Sequence, residues 1–214
     1  MIRKRLSSRH RKIGVKSLSE HRVSANPFDQ FNLWFQAAID AKVPQPYAMT
    51  LATASRSGRP SARIVLLKGF DPRGFSFYTN YESVKGKELT ENRNAALLFY
   101  WPKLERQIRI EGSVEKLTRE ESLRYFQSRP RKSRIGTWAS HQSEVLQSRE
   151  SLDHQFRKYR QLFHNADVPL PEYWGGYLLI PSRIEFWQSR SNRLHDRVSY
   201  LREDMSWKIS RLSP

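Results

Sequence analysis

The chain has 214 residues, enough for one sizeable core, and with 38% hydrophobic and 12% aromatic residues most of it should fold. A formal net charge of +17 favours anionic partners, whether nucleic acid, a membrane surface or small phosphates. The absence of cysteine excludes disulfides, thiolate nucleophiles and Cys-ligated metals and suits a reducing, cytoplasmic setting. The longest apolar runs, such as Ile64–Leu67 and Ala95–Trp101, are too short to cross a bilayer.

From Met1 to Ala25 the chain carries eight basic residues against Glu20 alone. This stretch lacks the apolar segment of a secretory signal, and its composition fits either an organelle transit peptide or a disordered basic arm. The arm is the reading taken, with one folded domain over 26–214. Asn26-Pro27 then starts a helix, with Asn as N-cap and Pro at the first helical position. Phe28, Phe31, Trp34, Phe35, Ala38 and Ile39 follow at helical spacing and predict an aromatic stripe on the core. From Ala48 the period changes. Ala48–Ser55, Ser61–Phe70 and Phe75–Tyr81 read as strands separated by turn chemistry at Ser57–Pro60 and Asp71–Gly74. Ser83 caps a short helix to Asn92; Ala95–Trp101 and Arg106–Leu117 read as strands. Thr118–Glu121 is a capping box that opens a helix to about Arg129. A charged helix over Ser143–His164 is ended by Pro169-Leu170-Pro171. Gly176–Ile180, Arg183–Gln188, Arg197–Arg202 and Trp207–Leu212 close the chain as strands. Short antiparallel strands with interspersed helices and no βαβ rhythm predict a mainly β fold, a closed or split barrel with flanking helices.

Several clusters along this framework could carry chemistry. In Arg63–Lys68 the apolar middle predicts a buried strand with a cation at each end. Five residues apart, these cations lie roughly 16 Å from each other on opposite faces. They read as two separate phosphate sites, or as strand-end cations snorkelling to water. Tyr78-Thr79-Asn80-Tyr81 leads into a helix N-terminus bearing Lys85, where exposed N–H groups and the helix dipole favour an anion; a capped surface helix gives the same pattern. Gln107 shares a face with Glu105 and Arg109, and its amide can donate and accept at the edge of a flavin or pyrimidine, or simply be solvated. Tyr125 and Arg129, four apart on a helix, join Ser133 in a clamp for a phosphomonoester, with a wet amphipathic face as the plainer alternative.

Trp187, Arg193, His195 and Arg197 can share one face of an extended segment. An indole, two guanidiniums and an imidazole suit a flat, anionic, aromatic ligand, although most lone histidines are structural. No spacing supports a metal site, and the Gly-x-Gly-x-x-Gly, P-loop and nucleophile-elbow patterns are absent. The clusters together point to a phosphorylated heteroaromatic compound.

From about Asn26 to Pro214 these residues resemble the pyridoxamine (pyridoxine) 5′-phosphate oxidase family. The most specific pieces are Arg63–Lys68, Phe77–Asn80, Leu104–Gln107, Tyr125-Phe126 with Arg129-Pro130, Trp138–Ser140 with Gln142-Ser143, Trp174–Gly176, Glu185–Gln188 and Arg193–Arg197. The resemblance implies a homodimeric FMN-binding split β-barrel with the flavin between subunits. It implies oxidation of pyridoxine 5′-phosphate and pyridoxamine 5′-phosphate by molecular oxygen to pyridoxal 5′-phosphate. By position, FMN contacts fall on Arg63, Ile64, Val65, Leu66, Leu67, Lys68, Tyr78, Thr79, Lys85, Gln107, Gln142, Ser143, Trp187 and Arg197. Substrate contacts fall on Lys68, Tyr125, Arg129, Ser133, Arg193, Leu194 and His195, with Arg193 and His195 nearest the reacting carbon. No nucleic acid or membrane partner is expected. The chain departs from the family at Val84, where an arginine is usual, at His10 and Ile13, where a lid Arg and Tyr are usual, and at Ser189–Asn192. The rivals are a related flavin-barrel oxidase of another substrate, such as a phenazine-pathway oxidase, and a basic nucleic-acid-binding module.

Overall fold

Asn26 caps α1 (Pro27–Asp40): its side-chain oxygen accepts a hydrogen bond from the Phe28 N–H at 2.9 Å. In the computed structural model, which describes residues 17–214, the aromatic stripe of this helix packs on a nine-stranded antiparallel sheet. Phe31 is fully buried, its ring centroid between 4.8 and 5.7 Å from those of Phe35, Phe70, Phe75 and Phe99. Ile39, expected in the stripe, is 44% exposed. It stands about 100° round the helix from buried Ala38 and so turns away from the sheet.

The strands are β1 (Ala48–Ala54), β2 (Pro60–Leu66), β3 (Gly69–Asp71), β4 (Gly74–Asn80), β5 (Asn94–Trp101), β6 (Arg106–Lys116), β7 (Trp174–Gln188), β8 (Asp196–Glu203) and β9 (Ser206–Arg211). Their order is β2-β1-β5-β6-β7-β4-β3, with β8 on the second half of β7 and β9 on β8. Three predicted strands differ from the structure. Ser61–Phe70 is not continuous: the chain leaves β2 at Leu67, whose N–H bonds the Tyr47 carbonyl, while the Lys68 N–H bonds that of Ser76. Conversely, Gly176–Ile180 and Arg183–Gln188 are one strand, β7, which runs through Pro181 beside a register shift at Glu111/Gly112. Gly112 permits this bulge, because a Cβ there would lie 2.0 Å from the Ile180 oxygen. With its first half on β4 and its second on β8, β7 splits the sheet into a half-barrel, the predicted split-barrel class.

Five α-helices flank the described sheet. The predicted cap at Ser83 opens α2 (Val84–Glu91), and the Thr118/Glu121 capping box opens α3 (Arg119–Ser128). An unexpected helix, α4 (Arg131–Ala139), follows Pro130, which in the sequence reads only as a stop. Here Pro130 both follows α3 and stands as N-cap of α4. The last helix, α5 (Arg149–Leu162), begins six residues later than predicted, capped by Ser148. These three helices bury a second apolar cluster built on Phe126, Ile135, Phe163 and Trp174. Residues 17–25, assigned to the basic arm by composition, pack on the domain. Leu18 is buried, and the Tyr200 hydroxyl donates to the Ser24 carbonyl at 2.7 Å. His10 and Ile13 lie outside the described residues.

Candidate functional site

β2 is an edge strand, not the buried one its apolar run predicts: Ile64 is 65% exposed, because β2 pairs only with β1 and its outer face has no covering layer. Between β2, β4 and the helices opens a cavity of about 580 Å³. Arg63, Ile64, Val65, Leu66 and Lys68 line one side of it, so Arg63 and Lys68 share one cavity rather than opposite faces. The break after Leu66 ends the strand alternation that placed them apart. Leu67 is buried in the core.

Thr79 and Lys85 also line the cavity. Lys85 Nζ donates to Gln142 Oε1 at 2.9 Å, and the Thr79 hydroxyl donates to the same oxygen at 3.1 Å. Burial, and then the neighbouring Arg63 charge, pull the Lys85 ammonium below its usual pKa. Arg63 is held from behind. Its Nη2 lies 3.1 Å from Glu88 Oε2, and its Nη atoms also bond Thr53, Ser61 and the Leu51 carbonyl. Burial raises the pKa of Glu88, but hydrogen bonds from Thr53, Ser61 and Arg63 outweigh it, so the carboxyl is held below its ordinary value.

The opposite wall is aromatic. Tyr78 and Tyr125 stack at 3.9 Å between centroids, and Trp174 lies nearly parallel at 5.5 Å from Tyr78. Arg129 is just beyond the end of α3, yet it still lines the cavity with Tyr125 and Ser133. Its Cζ sits 4.8 Å above the Trp174 ring, and Nη1 donates to Thr137 Oγ1 at 2.8 Å. Sequence reasoning missed Trp174, Gly136, Thr137 and Ser140 as lining residues. The last three belong to α4 or its C-cap, an element it did not see. The Trp174-Gly175-Gly176 signature was the one available clue to the first.

The lining thus carries four cations, Arg63, Lys68, Lys85 and Arg129, and no carboxylate. A cavity of this size, electropositive at both ends and walled by flat rings, fits an anionic aromatic ligand.

The remaining predicted residues do not line this cavity. Gln107 on β6, Trp187 on β7 and Arg197 on β8 are cross-strand partners on the outer face of the sheet. Gln107 shares that face with Arg109 as predicted, but Glu105 precedes the strand in a left-handed conformation (φ 53°). The strand ends predicted at Gln188 and Arg197 hold to within a residue, but the link between them is a turn rather than the extended segment that would put Trp187, Arg193, His195 and Arg197 on one face, with Arg193 at φ 62° and Leu194 exposed. His195 nevertheless meets Trp187, with ring centroids 4.6 Å apart. The Arg190 N–H donates to His195 Nδ1 at 3.1 Å, so a neutral His195 carries its proton on Nε2. Ser143 is exposed, at φ 76°. No helix among the described residues is long and apolar enough to cross a membrane, and none of their acidic and histidine clusters could hold a metal.

Residues 35–163 match the family model described as pyridoxamine 5′-phosphate oxidase, and residues 174–214 match the one described as pyridoxine 5′-phosphate oxidase C-terminal dimerisation region. The chain is 55% identical over 201 residues to a pyridoxine/pyridoxamine 5′-phosphate oxidase of Trichormus variabilis, covering 94% of each. It is 58% identical to a Burkholderia mallei protein of the same name, over 92% of this chain and 94% of the other. Among solved structures it resembles PhzG from Burkholderia lata 383, in complex with tetrahydrophenazine-1-carboxylic acid. That match has a TM-score of 0.88 at 34% identity, covering 94% of this chain and 98% of the other. A pyridoxamine 5′-phosphate oxidase-related, FMN binding protein from Nostoc punctiforme shares the fold at 16% identity, with a TM-score of 0.70, over 90% and 100% of the two chains.

Proposed function

Because this chain belongs to the pyridoxamine 5′-phosphate oxidase family, we propose that it is an FMN-dependent oxidase of pyridoxine 5′-phosphate and pyridoxamine 5′-phosphate. The observation that carries this reading is the cavity lined by four cations and no carboxylate beside an aromatic wall. The donors left over fit a flavin phosphate. The contacts of Arg63 occupy its Nη groups and spare its Nε–H, while Lys85 stands in the first turn of α2, where helix N–H groups and dipole favour an anion. When bound, FMN would supply the redox chemistry, a two-electron oxidation at the substrate 4′ carbon with oxygen as final acceptor; the products would be pyridoxal 5′-phosphate and hydrogen peroxide and, with uptake of one water, ammonia from the amine.

In this reading Lys68, Tyr125, Arg129 and Ser133 anchor the substrate phosphate, and remote binding energy aligns the reacting carbon. Gln107, Trp187, Arg193, Leu194, His195 and Arg197 reach the cavity from a second copy of the chain. Two features support a homodimer: the match of 174–214 to a dimerisation region and the exposed apolar residues Ile64, Tyr100 and Leu201 on the outer sheet face. His195 presents its Nε2–H as a donor that orients substrate and stabilises charge, since Nδ1 already accepts from Arg190.

The similarity to PhzG favours a second reading, an oxidase of an unphosphorylated phenazine precursor. The phosphate clamp of Lys68, Tyr125, Arg129 and Ser133 in one cavity argues for the first. The test is to titrate the purified protein with FMN and follow oxygen uptake with pyridoxine 5′-phosphate and with pyridoxine. Bound flavin and far faster turnover of the phosphorylated substrate are expected. Equal turnover of the two, or nucleic-acid binding without flavin, would refute the reading.

A further inference from the structure

Glu185 on β7 is a carboxylate only 3% exposed, and no sequence pattern assigned it a task. It faces two arginines. Its Oε1 accepts from Arg197 Nε at 2.7 Å, and its Oε2 lies 2.8 Å from Arg109 Nη2, an ion pair outside hydrogen-bond alignment. Arg109 Nε in turn lies 3.0 Å from Glu111 Oε1. A second restraint on Arg197 comes from the segment after β9, where the Ser213 carbonyl accepts from Nη1 at 2.8 Å. That segment is itself fixed, as the Leu212 N–H donates to the Arg197 carbonyl at 3.0 Å. Arg211 then bridges Asp196 and Glu20 at 3.0 and 2.9 Å.

We propose that Glu185 and the Ser213 carbonyl are positioning groups for Arg197, clamping its guanidinium by Nε and Nη1 so that Nη2 is presented outward beside Trp187. Trp187 is the direct cross-strand partner of Arg197, so the aimed Nη2 and the indole stand on one face. A guanidinium is planar, and two fixed nitrogens determine the direction of the third. The hydrogen bond to Glu185 also raises the pKa of Arg197, so the group stays charged wherever it points. Orientation, not charge, is what the clamp adds. This inference rests on the reading that Arg197 contacts FMN.

Glu185→Asp provides the test, since it keeps a charge between the two arginines but retracts it by one carbon–carbon bond, about 1.5 Å. In the full-length apoprotein, the Arg197 Nε–H should give a slowly exchanging NMR signal, assigned by its loss in Arg197→Lys. That signal should exchange rapidly in Glu185→Asp. FMN affinity, measured by quenching of flavin fluorescence, should fall about tenfold in Glu185→Asp, the loss of one charge-assisted hydrogen bond. In the Arg197→Lys background the same change should cost nothing further. Glu185→Gln is the companion variant and should show the same non-additivity. An unprotected Nε–H in the wild type, or FMN losses that simply add, would overturn the clamp. A protected Nε–H in a protein that binds no FMN would instead refute the proposed function and leave the clamp standing.

Discussion

Replacing Arg129 by methionine removes the guanidinium from the cavity while leaving an unbranched apolar stem against Trp174 and Phe126, above which the Arg129 Cζ lies at 4.8 and 5.7 Å. Of five guanidinium N–H groups, two are occupied by Thr137 Oγ1 at 2.8 Å and the Ser133 carbonyl at 3.3 Å. Three remain to meet a phosphate. Burial lowers the pKa of the group, but guanidinium remains charged across the working pH range. A charge-assisted hydrogen bond contributes about 1.5–3 kcal/mol. Losing it should raise KM for pyridoxine 5′-phosphate by about 10- to 150-fold, at one decade per 1.4 kcal/mol. The anchor is remote from the 4′ carbon, so kcat should change less, and unphosphorylated pyridoxine should be little affected. Oxygen uptake on both substrates reads these effects directly. An equal loss on both, or an unchanged KM for the phosphorylated one, would refute the assignment of Arg129.

Three further outcomes are expected. Val84→Arg restores a cation in the first turn of α2 at a half-exposed position beside Lys85. It should tighten FMN binding by about two- to fivefold, the worth of one partly exposed ion pair, as measured by fluorescence titration. Lys85 is held below 10.5 in the fold, so as pH rises through the window beneath that value the native state loses its proton before the unfolded chain does. Over that window FMN affinity should fall while the apoprotein is relieved of the cost of burying the charge; Lys85→Met should flatten both profiles. Phe31→Ala removes a fully buried ring that touches four others. A cost of about 3–5 kcal/mol is expected, and calorimetry should show a Tm lower by roughly 6–20 °C.

What the sequence made legible was local. Asn26 and the Thr118/Glu121 box mark helix starts, because their side chains satisfy backbone groups within three residues. Tyr125, Arg129 and Ser133 could be grouped because they lie within nine residues of each other, and the structure places them in one cavity. What stayed hidden depends on distant partners. Pro181 reads as the end of a strand until Gly112, on β6, is seen to take up the bulge opposite it. The Pro130 N-cap reads as a terminator, and so α4 with its cavity-lining Gly136 and Thr137 stays hidden. Likewise the alternation of Arg193, His195 and Arg197 in the sequence does not show that Arg193 and Leu194 sit in a turn. Nor does the sequence show that Gln107 and Arg197 flank Trp187 from two different strands.

The most direct measurement is an anaerobic titration of the FMN-loaded protein with pyridoxamine 5′-phosphate, following the yellow flavin absorption. Stoichiometric bleaching, full return of colour on admitting oxygen, and no bleaching by unphosphorylated pyridoxamine at the same concentration are expected. A protein that stays colourless when supplied with FMN, or a flavin bleached equally by both compounds, would contradict it.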